Sequence, residues 1–266
     1  MTDPTADRAA SSAPLFANAV TAFVLAASVA VTLHETAHAL AGLVMGSPVR
    51  LLSFAAGALG PLDAEQDAVM AAAGPLFSLV LGLVVLALTG RAGRGFGRLF
   101  WLWLGFVSTM NFVGYLIITP FGAGDTGEIV RDLRLGTPVA ALMCAVGVLA
   151  FVGLSLLFVR RLGRYATDDG AMRRLGLIPW LAGTAFVVVR TLVELAIGGA
   201  DGTTAATVAA GAAACGVFAP VFSTRWRRLA DGHETLALRR PIGWAVLAAV
   251  VVVLQLAVLA PGVRLG

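Results

Sequence analysis

The chain has 266 residues, of which 59% are hydrophobic and only 13% charged, and its mean hydropathy is +0.90. Soluble globular domains carry about 25% charged residues, so this composition excludes a soluble domain, and its excess of apolar residues excludes a disordered chain. The formal net charge is +4, and all nineteen basic residues are arginines. The composition therefore predicts an all-α polytopic membrane protein whose main solvent is lipid.

Seven apolar segments are long enough to cross a bilayer as helices, for which about 20 residues are needed. The sixth segment is the weakest, because it is rich in alanine and contains Pro220. Six or seven transmembrane helices are therefore predicted. The segments cover residues 15–45, 68–89, 99–119, 139–159, 177–197, 203–222 and 242–260.

The arginines are distributed unequally between the loops. If all seven segments span, fourteen arginines lie on the side that carries the N-terminus and four on the other side, with Arg190 inside a helix. By the positive-inside rule this distribution places the N-terminus in the cytoplasm. The basic clusters are interpreted as topology signals that also contact anionic lipid, and no nucleic-acid partner is expected.

The segment between the first two helices differs from the other loops. Within residues 46–67, a short apolar run from Val49 to Phe54 is followed by Gly57, Gly60 and Pro61. A short apolar run followed by turn residues is typical of strands and hairpins. A short strand or hairpin that lies against the membrane is therefore predicted here.

The first predicted helix contains His34-Glu35-Thr36-Ala37-His38, an H-E-x-x-H motif. Positions i and i+4 share one face of a helix, so both imidazoles can reach one zinc ion while Glu35 lies beside a water molecule at that ion. The chain has only three histidines, and ionisable residues inside an apolar segment are costly and mark function. The alternative interpretation is a buried structural pair of histidines with Glu35 as their hydrogen-bond partner.

The motif supplies two zinc ligands, whereas a catalytic zinc ion takes three and keeps one open position. The remaining histidine, His233, lies in an arginine-rich loop that is predicted on the opposite side of the membrane. Asp125 is the preferred third ligand, because it follows the third helix at the same end as the motif, and Glu128 is the second candidate. Alternatively, Asp125 caps the N-terminus of a short helix over residues 126–133.

Three pieces of the sequence resemble the site-2 proteases, a family of intramembrane zinc metalloproteases. The H-E-x-x-H motif is followed by Ala72-Ala73-Gly74-Pro75-Leu76, which resembles the A-G-P-L signature of the family. Pro120 to Asp125 resembles its signature of a proline, four residues and a zinc-binding aspartate. The resemblance covers residues 31–132 and implies a three-helix catalytic core with Asp125 as the third ligand.

The chain departs from the family pattern at several positions. Ser78 stands where the family usually has asparagine, and Thr126 separates Asp125 from a glycine that usually follows the aspartate directly. Asn111 lies farther from Pro120 than the corresponding asparagine of the family does. The arginine count directs the metal end of the motif helix outward, whereas it lies toward the cytoplasm in known members.

The resemblance does not extend into the later helices. Arg190 and Glu194 stand four residues apart, so an intrahelical ion pair is predicted that lowers the cost of burying both charges, with substrate contact as the alternative. Gly82, Gly147 and Gly153 are predicted to allow close packing between helices.

Together these features predict a zinc-dependent endopeptidase that cuts a transmembrane or membrane-adjacent segment of another membrane protein. His34, His38 and Asp125 are expected to hold one zinc ion, and Glu35 to act first as general base and then as general acid. A helical substrate would have to unwind, and its extended strand could pair with the loop over residues 46–67.

The predicted organisation is a tail over residues 1–14, a catalytic membrane core over 15–135, and additional helices of unassigned role over 136–266. A multi-pass protein in the cell membrane of a prokaryote is expected. The alternative is a non-hydrolytic membrane protein, either a metal transporter or a degenerate protease homologue that acts as a binding partner. The later helices carry almost no ionisable residues apart from Arg190 and Glu194, which favours the enzyme over a transporter.

Overall fold

The computed structural model describes residues 4–89, 94–197, 222, 224–230 and 234–266. Six of the helices in these residues are long and apolar enough to cross a membrane, which is the pattern of a multi-pass membrane protein. The sixth predicted segment, over residues 203–222, lies outside the described residues except for Phe222, and His233 lies outside them as well. The six candidate spans are Pro14–Val44, Ala64–Leu88, Phe96–Phe121, Thr137–Gly163, Asp169–Ala196 and Ile242–Leu259.

The described chain is mostly helical, with one small sheet. Its helices are α1 (Pro4–Val44), α2 (Ala64–Leu88), α3 (Phe96–Ile118), α4 (Gly124–Asp132), α5 (Thr137–Gly163), α6 (Asp169–Met172), α7 (Ile178–Ala196) and α8 (Ile242–Leu254). The strands are β1 (Val49–Leu51), β2 (Ala56–Ala58) and β3 (Val263–Leu265). A 3₁₀ turn over Thr119–Phe121 joins α3 to α4, and π-helical turns over Arg173–Leu177 and Gln255–Leu259 join α6 to α7 and extend α8.

The first helix is longer than predicted. It begins at Pro4, so most of the expected tail over residues 1–14 is helical, because its alanines favour a helix even where they do not form an apolar run. The side chain of Asn18 donates hydrogen bonds to the carbonyl oxygens of Pro14, at 2.6 Å, and Arg239, at 2.8 Å. Asn18 thereby ties α1 to the segment that precedes α8.

The second helix begins four residues before the predicted start, at Ala64. Asp63 accepts hydrogen bonds from the backbone N–H groups of Glu65 and Gln66, at 3.0 and 2.9 Å. The side chain of Gln66 accepts one from the backbone of Asp63 at 3.0 Å, which completes a capping box. The capping box therefore extends α2 into a polar first turn, which the predicted apolar segment over residues 68–89 did not include.

The predicted hairpin between α1 and α2 is confirmed, and it has a third strand that the sequence did not predict. The strand order is β2-β1-β3, and both pairs are antiparallel. In the register, Val49 lies opposite Ala58 on one side and Leu265 on the other. Val49 and Leu51 are buried against Ala39 and Met70, so one face of the sheet packs on α1 and α2.

A larger apolar core lies away from the sheet and is built on α3. Trp103 packs edge-on against Phe23 at a centroid distance of 4.8 Å, and Phe106 stacks on Phe158 at 4.1 Å. These contacts join α1, α3 and α5. The core fixes the relative positions of the helices whose other ends carry the motif residues.

Two of the three glycines predicted at helix contacts are confirmed. A Cβ atom at Gly82 would collide with Thr109 of α3, and one at Gly147 would come within 2.8 Å of the Leu116 side chain. At Gly153 a Cβ atom would meet nothing within 4 Å among the described residues, so the close contact predicted there is not seen in this part of the chain. A small residue in an apolar helix permits a close approach but does not require one.

Candidate metal centre

Three potential metal ligands from two separate helices meet at one end of the bundle. His34 and His38 lie one turn apart on α1 and are 2% and 5% exposed, and Asp125 lies in the first turn of α4. The Nε2 atoms of His34 and His38 lie 3.1 and 3.2 Å from Oδ2 of Asp125, and 3.1 Å from each other. The predicted convergence of the motif with Asp125 is therefore confirmed.

This group could hold a metal ion. All three ligand atoms lie within 4.8 Å of one another. A tetrahedral zinc ion with bonds near 2.0 Å separates its ligand atoms by about 3.3 Å, so both the donor set and the spacing fit zinc. Glu128, the second candidate, does not belong to the group.

The Nδ1 atom of each histidine, which faces away from Asp125, contacts a residue of α2. His38 Nδ1 donates to the carbonyl oxygen of Met70 at 2.7 Å, and His34 Nδ1 lies 3.0 Å from the hydroxyl oxygen of Ser78. A carbonyl oxygen only accepts, so His38 carries a proton on Nδ1, and its Nε2 is the nitrogen that faces the ligand group. Such partners fix the tautomer and orientation of metal-binding histidines.

Gly74 explains why the signature between the motif and Ser78 contains a glycine. A Cβ atom at Gly74 would collide with the imidazole ring of His38. The glycine therefore lets α2 lie directly against the His38 ring, close enough for the Met70 carbonyl to accept its hydrogen bond. Pro75 follows inside the helix, where it removes a backbone donor.

Asp125 does not cap a helix, so the capping alternative is wrong. The helix begins two residues earlier than that alternative requires, its N-cap position is Ala123, and no side chain makes a capping hydrogen bond there. Asp125 consequently lies within the first turn, and its carboxylate reaches the histidines instead. Burial alone would raise the pKa of Asp125, but the hydrogen bonds with His34 and His38 outweigh burial and lower this pKa.

Thr126, which interrupts the usual family pattern, anchors α4 to the end of α3. Its hydroxyl lies 2.7 Å from that of Thr119 and donates to the Tyr115 carbonyl at 2.8 Å. Gly124 adopts a φ of +69°, and a Cβ atom at Gly127 would collide with the backbone of Gly122. These contacts fix the start of α4, so that Asp125 lies beside His34 and His38.

Tyr115 forms a further side of the centre that the sequence did not reveal. Its ring stacks on the His34 imidazole, with a centroid distance of 5.5 Å and an interplanar angle of 17°. Tyr115 lies in an apolar helix of ordinary composition, so no local signal marks it. The contact depends on how α1 and α3 pack.

A cavity of about 380 Å³ opens beside the ligand group. Glu35 is 6% exposed and lines this cavity, whereas Asn111 is not among its lining residues. The lining residues come from α1, the hairpin, α2, α3 and α4: Glu35, His38, Phe54, Ala55, Ala56, Gly57, Ala58, Asp67, Met70, Ala71, Tyr115, Asp125, Glu128, Arg131 and Asp132.

Glu128 lies at the outer part of this cavity. Its side chain is 53% exposed and lies 3.8 Å from the guanidinium of Arg131. Partial burial raises the pKa of Glu128, and the negative charge of Asp125 raises it further. The carboxylate therefore lines the solvent-facing wall rather than the ligand group.

The predicted ion pair in α7 is confirmed, and both of its members are buried. Arg190 Nε donates to Glu194 Oε1 at 2.9 Å, and each side chain is 3% exposed. Arg190 Nη1 also donates to Gln255 Oε1 at 2.7 Å. The pair thus reaches the π-helical turn that follows α8.

A comparison of the chain with protein families, curated protein sequences and solved structures gives no significant match.

Proposed function

We propose that the protein is a zinc-dependent intramembrane endopeptidase of the site-2 protease type, with α1, α2 and the α3–α4 unit as its catalytic core. One observation carries the proposal. The Nε2 atoms of an H-E-x-x-H helix meet the carboxylate of Asp125, and the intervening Glu35 lines the same cavity. This is the arrangement of three ligands and a general base that zinc peptidases use.

Zinc bound by His34, His38 and Asp125 would supply Lewis acidity toward a water molecule and the scissile carbonyl. Glu35 takes a proton from the water molecule while the water oxygen forms a bond to the carbonyl carbon of the scissile peptide. Glu35 then gives this proton to the nitrogen of the leaving amine as the C–N bond breaks. The burial of Glu35 keeps bulk water from competing for that proton.

The hairpin offers the substrate an edge at which to bind. β1 is paired on both sides, and within the described part of the chain β2 has β1 as its only partner strand. Ala56, Gly57 and Ala58 of β2 line the cavity, and their small side chains leave room for another strand. A substrate helix must unwind before its carbonyls are accessible, and the extended segment would then pair with β2.

The first prediction concerns the general base and the ligands. The protein is reconstituted with a fluorogenic peptide that carries one transmembrane segment, weakened by a central Asn-Pro pair, and bound zinc is quantified. We expect Glu35→Gln to retain zinc and lose about 100-fold or more of the cleavage rate. Asp125→Ala should lose both zinc and activity, because two ligands remain.

Glu128→Gln is the matched control, since Glu128 lines the same cavity outside the ligand group. It should keep both zinc and cleavage. Full activity of Glu35→Gln would refute the peptidase, and loss of zinc from Glu128→Gln but not from Asp125→Ala would overturn the ligand set. A zinc-loaded wild type that cleaves nothing would point instead to a non-hydrolytic homologue.

A further inference from the structure

We infer that Arg190 is a positioning residue that acts through Phe54 to fix the substrate-binding wall of the cavity. The inference rests on the proposed function and names a residue far outside the resemblance to the family. The cluster that carries it is called the Arg190 bracket and consists of Arg190, Glu194, Gln255, Thr32 and Phe54.

The guanidinium plane of Arg190 is fixed from two directions. Nε is bound by Glu194 within the same helix, and Nη1 is bound by Gln255 from the turn after α8. Two hydrogen bonds at different edges of one planar group determine its orientation. The guanidinium therefore presents a defined face to its surroundings.

Gln255 connects this plane to the motif helix. Its side-chain amide donates to Thr32 Oγ1 at 2.5 Å and to the Ser28 carbonyl at 3.0 Å. Thr32 precedes the first motif histidine by two residues. The Arg190 bracket is thus attached to the helix that carries His34.

The guanidinium group of Arg190 lies over the aromatic ring of Phe54. Arg190 Cζ lies 4.4 Å from the centroid of the Phe54 ring, a cation–π distance. Phe54 lies in the turn between β1 and β2 and lines the cavity together with Glu35 and His38. The same turn is attached a second time, because the Ser53 hydroxyl donates to the Gln255 carbonyl at 3.4 Å.

Stability alone gives no reason for a buried ion pair here. Apolar side chains of similar volume often stabilise a protein as well as a buried pair does. Arg190 Nη2 is in addition buried without a hydrogen-bond partner among the described residues, which is unfavourable for a donor. The ion pair instead holds the guanidinium group of Arg190 in a fixed orientation against Phe54 in the β1–β2 turn.

The Arg190 bracket should therefore control substrate binding more than chemistry. The ring of Phe54 and the backbone of β2 form one wall of the cavity, and neither belongs to the ligand group. Without the guanidinium plane, this wall loses its fixed position and the substrate strand pairs less well. His34 and His38 keep their contacts with Ser78 and Met70 of α2.

The test uses the full chain with both charges removed, Arg190→Met with Glu194→Gln, so that no unpaired charge stays buried. With the same fluorogenic peptide, KM should rise about fivefold while kcat and zinc content stay within about twofold of wild type. Affinity for the peptide should fall equally in the Glu35→Gln background. Arg227→Met with Asp169→Asn removes an ion pair of 3.1 Å elsewhere and should change none of these values.

Two measurements separate positioning from a general structural role. Phe54→Leu should raise KM alone, and adding it to the Arg190→Met/Glu194→Gln variant should cause no further rise, because both changes break one contact. Amide hydrogen exchange over residues 52–58 should become faster in the double variant, while exchange over 137–163 stays unchanged.

Additive effects on KM, or unchanged exchange over residues 52–58, would overturn the inference. An active wild type with an unchanged KM in the double variant would overturn it while leaving the proposed function intact. A zinc-loaded wild type without cleavage would refute the proposed function, and the exchange result would still decide whether the Arg190 bracket holds the turn.

Discussion

Ser78 and Met70 contact the histidine nitrogens that face away from the ligand group. A backbone carbonyl is present whatever the side chain, but the Ser78 hydroxyl depends on one residue. Ser78 is buried, with 1% of its surface exposed, so water cannot easily replace it. Ser78 stands where the resembled family usually has asparagine, and it still supplies a polar partner for the candidate ligand His34.

Ser78→Ala should weaken zinc binding by about 10- to 100-fold, because His34 loses the contact that orients its ring. The measurement is a titration of the purified protein with a competing chelator. Ser108→Ala is the control, since Ser108 is a buried serine without a hydrogen-bond partner among the described residues. Equal zinc affinity in the two variants would show that Ser78 does not orient His34.

At the scale of elements, the approach of α2 to α1 is set by residues without side chains. The His38 ring occupies the space that a Cβ atom at Gly74 would need, and the Val49 side chain lies 2.6 Å from a Cβ atom built at Gly42. α2 and β1 can therefore lie close to the motif helix at both positions. The geometry of the candidate centre depends on this spacing.

Gly74→Ala should lower zinc affinity by at least about tenfold, because α2 or the His38 ring must move to make room. Alanine favours a helix more than glycine does, so helix propensity cannot explain a loss. Gly153→Ala adds the same methyl group where it meets nothing within 4 Å in the described part of the chain, and it should leave zinc affinity unchanged. Thermal unfolding with and without zinc checks both variants; a normal zinc-dependent shift in Gly74→Ala would contradict the packing argument.

Much of the fold could be predicted from the sequence because lipid requires long apolar runs. The starts of α1 and α2 were missed, since Pro4 and Ala64 lie in polar turns. The third strand was missed because Val263–Leu265 is too short to show a pattern, and its partner lies far away in the chain.

The candidate centre, like the fold, has parts that the sequence predicts and parts that depend on packing. The motif and Asp125 could be predicted, because their spacing and their rarity in an apolar chain are visible locally. The contacts of Tyr115, Ser78 and Gln255 could not, because each depends on how helices pack. The capping alternative for Asp125 failed because the turn at Gly124 starts α4 early and turns the carboxylate toward α1.

At the scale of the whole molecule, the distribution of arginines predicts an orientation. With the N-terminus in the cytoplasm, the candidate centre opens on the outer side of the membrane. Leu135 lies between the third and fourth candidate spans at the end that carries Asp125, and Thr167 lies between the fourth and fifth. These two positions are therefore expected on opposite sides.

Leu135→Cys should react with a membrane-impermeant maleimide in intact cells, and Thr167→Cys only after permeabilisation. Both variants are made with Cys144 and Cys215 changed to serine, so that the new thiol alone reacts. The reverse pattern would show that the metal end of α1 faces the cytoplasm, and that the arginine count misleads.

The sheet also has a consequence for the time at which β1 gains its second partner strand. β1 pairs with residues 263–265, which are synthesised after the entire helical bundle. At about 5–20 residues per second, roughly 10 to 40 s pass between the synthesis of β1 and that of β3. During this interval β1 presents an open edge to the nascent chain and its neighbours. The half of the chain that carries the candidate metal centre is therefore synthesised long before β3 covers the open edge of β1.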